Sequence, residues 1–90
     1  MRDFIKGLVK RVIDEHSIEI EVTQNGRNNN RDYHGSEEIR VSEIKPFLFS
    51  RKSGFCSKTL FEMILLGKEV TCLVYGRNSH GQIEGDVFLL

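Results

Sequence analysis

The sequence predicts a mainly β (α+β) domain in which one helix separates two groups of strands. Three observations carry that prediction. Ser17 to Thr23 alternates, with Ile18, Ile20 and Val22 on one side and Glu19, Glu21 and Thr23 on the other. Glu69 to Tyr75 does the same, with Val70, Cys72 and Val74 opposite Thr71, Leu73 and Tyr75. Between them, Phe55, Leu60, Phe61, Ile64 and Leu65 recur at helical spacing and share one broad apolar face.

In chain order, the first segment is ambiguous. Phe4, Ile5, Leu8, Val9, Val12 and Ile13 follow a helical rhythm, so periodicity alone makes residues 3–14 an amphipathic helix. Ser17 to Thr23 is a clearer strand, with one apolar and one acidic face. Residues 24–37 (QNGRNNNRDYHGSE) read as a long, solvated loop, either the tip of a hairpin or a mobile excursion, because Asn-Gly and three consecutive asparagines leave little to bury. Arg27 and Arg31 give it a basic edge. Ile39 to Ile44 is the third strand, broken by Pro46, with Phe47, Leu48 and Phe49 as an apolar anchor. Arg51, Lys52 and Lys58 cluster around the helix start, where Ser53 is the expected N-cap. Gly67 closes the helix, Asn78 to Gly81 is a turn, and Ile83 to Leu90 is the closing strand.

Ninety residues make one domain, 1–90, with a thin core. Thirteen basic and thirteen acidic side chains cancel, so any nucleic-acid binding needs a local patch rather than overall charge. Cys56 and Cys72 suit a reduced thiol protein better than a disulfide framework. No apolar run approaches the ~20 residues of a membrane span, and the charged N-terminus MRDFIKGLVKRV is not a signal peptide. A cytoplasmic protein is expected, either standing alone or as a domain of something longer.

The stretch LLGKEVTCLVYGRNSHGQIEGDVFL resembles the helix-end, strand, turn and strand signature of the staphylococcal nuclease-like (thermonuclease) domain. Two upstream pieces agree in order. VKRVIDEHSIEIEV is similar to the family's first hairpin, built on an Asp-Gly-Asp-Thr turn. IRVSEIKPF is similar to its Val-Arg-Leu-x-Gly-Ile-Asp-x-Pro-Glu segment. The resemblance spans nearly the whole chain. It implies that residues 3–14 are a strand, and that the fold is the five-stranded Greek-key barrel of the OB-fold, with one helix between strands 3 and 4. A barrel without the family's two further C-terminal helices is expected.

The family cuts phosphodiester bonds with calcium, two arginines and carboxylates. Carried over residue by residue, the match keeps Asp14, at the first aspartate of the hairpin turn, and Arg40, at the first arginine. His16 falls on a calcium-binding aspartate, and a neutral imidazole is a poor ligand for that hard cation. Lys45 falls on the second metal aspartate and repels a cation. Phe47 replaces the glutamate that handles water, and Gln82 replaces the second arginine, with Arg77 as its neighbour. No catalytic residues and no metal or other cofactor are therefore expected; calcium enters only if a working hydrolase site has been rebuilt. A transition-metal site from His16, His34, His80 and Asp14 has no spacing signature.

The expected function is a catalytically inactive nuclease-like module that binds nucleic acid through Arg40, Lys45, Arg77 and His80 at the former active-site mouth. Glu15, Glu43 and Glu84 lie close to that patch in sequence. The alternatives are a protein-interaction or scaffold domain and, last, a metal-dependent phosphodiester hydrolase. The phenylalanines, Phe4 included, read as core, which leaves few aromatics for stacking on bases. The partner is nucleic acid or another protein, not a membrane.

Overall fold

The computed structural model describes residues 3–45 and 58–89. Five strands and one helix follow in the order β1 (Asp3–Val12), β2 (Ser17–Asn25), β3 (Ser36–Lys45), α1 (Lys58–Leu65), β4 (Glu69–Arg77) and β5 (Ile83–Leu89). The strands close into a barrel in the order β1-β2-β3-β5-β4. β3 and β5 are parallel and every other pair is antiparallel, as in an OB-fold. β1 closes the barrel by pairing with β2 along one edge and with β4, from Asp3 to Leu8, along the other. Closure leaves the sheet without free edges.

Residues 3–12 are strand, not helix, and the reason for the helical rhythm is visible in the register. β1 carries an irregularity between Val9 and Arg11, so Lys10 is an extra residue against β2. Val9 and Val12 both point inward although they are three apart, while Lys10 and Arg11 are both exposed. Phe4 and Leu8 lie on the outer face, about half exposed at 46% and 43%; Phe4 is therefore not core.

The interior is filled by Ile5, Val9, Ile18, Ile20, Ile39, Val41, Val70, Cys72, Ile83 and Val87, all essentially without solvent contact. Phe61 and Leu65 from α1 join them. Gly67, at φ 76°, turns the chain out of α1 in a conformation that suits glycine. Its N–H donates to Val9 O at 3.0 Å and Val9 N–H donates to Lys68 O at 2.9 Å, so the helix exit is fastened to β1. The expected N-cap Ser53, the anchor Phe47 to Phe49, and Cys56 lie outside the described residues.

The Asn-rich segment is shorter and better anchored than a solvated loop. Gln24 and Asn25 finish β2, and Ser36 and Glu37 begin β3. Between them, the Asn25 side chain brackets Tyr33, accepting from its N–H and donating to its carbonyl, both at 2.9 Å. Asn29 does the same for Phe4, at 2.8 and 2.6 Å. These amides replace strand partners, and the loop folds back over the start of β1. Tyr33 is only 4% exposed and belongs to the core.

Candidate nucleic-acid interface

Arg40 sits where three elements meet. Its backbone pairs with Ser17 at the start of β2 on one side and with Glu84 of β5 on the other. The next residue, Val41, donates its N–H to His16 O at 2.8 Å, which fixes the β1–β2 turn beside Arg40. The β4–β5 turn approaches from the opposite flank, where Gln82 Nε2 donates to Ser17 Oγ at 3.3 Å. The β1–β2 turn, Arg40 and Gln82 thus come together. The Arg40 side chain is exposed, and among the described residues its guanidinium has no hydrogen-bond or ion-pair partner.

Both turns are built by short polar side chains. Asp14 Oδ1 accepts the His16 N–H at 2.7 Å, and the Ile13 N–H donates to Ser17 O at 2.9 Å. Asp14 is thereby a turn-forming residue. Asn78 Oδ1 accepts the N–H groups of His80 and Gln82 at 2.9 and 3.0 Å, while its Nδ2 donates to Gln82 Oε1 at 3.0 Å. His80 is exposed at the tip of this turn.

The other cations of the expected patch fare differently. Arg77 is held by a two-pronged ion pair with Glu37, at 3.2 and 3.1 Å, and by Gly81 O at 2.7 Å. Its guanidinium also lies 5.8 Å from the centre of the Tyr33 ring. Lys45 is paired with Phe88 near the end of β5, whereas Arg77 is paired with Ile83 at its start. At about 3.3 Å per residue, Lys45 stands roughly 15 Å along β3 from Arg40. The four residues therefore do not form one mouth: Arg40, Arg77 and His80 surround the β4–β5 turn, and Lys45 belongs to the other end of the barrel.

Acidic groups line the same face. Arg11 pairs with Glu19 at 3.1 Å, Lys10 with Glu21 at 3.7 Å and Arg77 with Glu37, so three of these carboxylates already have counter-charges. Glu84 and Glu38 remain near Arg40, with Glu38 3.5 Å from Gln82 Nε2.

A calcium centre does not fit these residues. The Asp14 carboxylate is engaged by its own turn, and His16 supplies an imidazole 3.6 Å from Glu15. Among the described residues no three His, Cys, Asp or Glu side chains gather closely enough to hold a metal ion. No helix in them is long and apolar enough to cross a membrane.

A second feature has no local signature in the sequence. A cleft of about 370 Å³ opens beside the same turn, between the Asn-rich loop and the end of β4. Arg31, Tyr75, Gly76 and Arg77 line it, with Asp3 and Tyr33 among its walls. Tyr75 is an extra residue in β4, because the register with β5 shifts between Val74 and Gly76. Its ring is 43% exposed, and its hydroxyl bonds to Asp86 Oδ2.

Comparison with protein-family models finds no match for this chain, and a search of curated protein sequences finds none either.

Proposed function

We propose that this chain is a nucleic-acid-binding OB-fold module that holds a single strand across the β1–β2 turn, Arg40 and the β4–β5 turn without cutting it. The observation that carries the reading is the state of Arg40, an exposed guanidinium, unpaired among the described residues, on a backbone held between two hydrogen-bonded turns. A guanidinium in that setting suits a phosphate, which it binds in two-pronged fashion. OB-folds hold single strands by combining such cations with exposed rings. The outward position of Tyr75 supplies such a ring near the β4–β5 turn. The resemblance to nuclease-like domains supports the same face, and the loss of its acidic ligands supports binding without hydrolysis.

Labelled single-stranded DNA and RNA, titrated at low and moderate salt and then run on a denaturing gel, test this. Binding that weakens with salt and leaves the strand intact is expected. Calcium-dependent cleavage would favour the hydrolase, and no binding by the folded protein would favour a protein partner.

One observation favours the protein-docking reading. Phe4 and Leu8 lie on the outer face of β1 on either side of Lys6, and Leu66 after α1 is 45% exposed. Phe4 also borders an apolar groove against Gly26 and Thr71.

A further inference from the structure

We infer that the cleft between the Asn-rich loop and the β4 bulge is a second binding site, which takes a planar ring bearing a phosphate: a nucleoside monophosphate, either free or as one unit of a strand. The inference builds on the single-strand reading above and extends it to residues outside the nuclease-like positions.

The cleft has the size of a small-molecule site and three kinds of group converge on it. Arg31 and Arg77 bring positive charge. Among the described residues Arg31 makes no ion pair, and the three hydrogen bonds of Arg77 leave others of its five N–H donors unspent. The Tyr75 ring is partly exposed and tethered through its hydroxyl, so a stacking surface is in place before any ligand arrives. Gly76 leaves the neighbouring backbone bare, since a Cβ there would meet nothing within 4 Å, and a flat group can lie against it.

The one acid in the wall is occupied. Asp3 accepts from the Asn30 N–H at 2.7 Å and from the Tyr33 hydroxyl at 2.7 Å, and the nearby Arg31 charge partly offsets its own, so the cleft holds two guanidinium groups against one carboxylate. The cleft is also aligned with Arg40. Ser17, Arg40, Glu84 and Gly76 are successive Cα partners across β2, β3, β5 and β4. At about 4.8 Å per strand, Gly76 is roughly 10 Å from Arg40. One strand can therefore meet both.

The test follows backbone amide chemical shifts while adenosine 5′-monophosphate, adenosine and inorganic phosphate are titrated separately into the whole chain. Adenosine monophosphate is expected to shift residues 30–33 and 75–77, and to bind at least tenfold more tightly than either adenosine or phosphate. Arg31→Glu, a change on an exposed loop, is expected to weaken it by about tenfold. No shifts in these segments, or unchanged affinity in Arg31→Glu, would overturn the inference. A parallel oligonucleotide titration separates the two claims: Arg40-dependent oligonucleotide binding without mononucleotide binding in the cleft overturns the cleft and leaves the strand reading standing. Mononucleotide binding in the cleft without oligonucleotide binding supports the cleft as a site for the free nucleotide and removes the strand.

Discussion

The Tyr33 hydroxyl donates a 2.7 Å hydrogen bond to Asp3 Oδ2, thirty residues earlier in the chain. This bond joins the Asn-rich loop to the first residue of β1, and both partners are buried. It makes the loop part of the barrel rather than an excursion from it.

Tyr33→Phe removes a hydrogen bond to a charged acceptor and is expected to destabilise the fold by about 1.5–3 kcal/mol. The pH dependence follows from both partners. The Asn30 amide and then the Tyr33 hydroxyl hold the Asp3 carboxyl below its ordinary 3.8, against the opposing effect of burial. Its stabilisation is present above that value and is lost as pH falls through the lowered one. Burial and then Asp3 push Tyr33 up from 10.0 to about 12, so its stabilisation is full below pH 10.0 and is lost as pH rises toward 12. In urea unfolding across pH, the gap between wild type and Asp3→Asn should narrow below pH 3.8, and the gap to Tyr33→Phe should narrow above pH 10.0. Gaps that stay constant with pH would show that these groups do not titrate as coupled to folding.

Gly85→Ala is expected to destabilise by about 1–3 kcal/mol, because a Cβ would collide with the Leu73 carbonyl oxygen and come within 3.0 Å of Cys72 Sγ. The obstacle is backbone and cannot swing aside. Thermal melting should fall by several degrees in a domain of this size. Gly76→Ala, with open space around it, serves as the control and should melt near the wild-type temperature.

Cys72 is fully buried, and burial raises its thiol from 9.0 to about 12. In a Cys56→Ser variant, a thiol reagent at neutral pH should leave the native protein unlabelled and label it fully in denaturant. Rapid labelling of the native state would mean that the barrel opens around β4.

Glu84 is the Cα partner of Arg40 on β5, and its charge opposes a phosphate at that place. Glu84→Gln should therefore tighten oligonucleotide binding severalfold at low salt, with the advantage fading as salt screens it. Unchanged affinity would place the strand elsewhere on the barrel.

β2 and β4 were legible because Ile18, Ile20 and Val22, and Val70, Cys72 and Val74, alternate without interruption over the residues that show it. β1 was not, because its bulge at Lys10 puts Val9 and Val12 on one face three residues apart, and because Phe4 and Leu8 add apolar residues on the outside. Tyr33 was missed because its burial depends on Asn25 and Asp3, neither of which marks a core position in sequence. Arg40 was reached through the resemblance, and the structure puts it beside both turns. Lys45 and Arg77 are at opposite ends of β5, a separation that only the parallel β3–β5 register reveals. The cleft joins residues 3, 30, 31, 33 and 74–77, which no local pattern connects.

The most direct measurement is the salt dependence of single-stranded oligonucleotide binding by wild type and Arg40→Ala, with the fold of each checked by circular dichroism. The account predicts that Arg40→Ala folds normally, binds about tenfold or more weakly, and has a shallower slope of log affinity against log salt, by about one. Equal affinity and equal slope in the two proteins would contradict it.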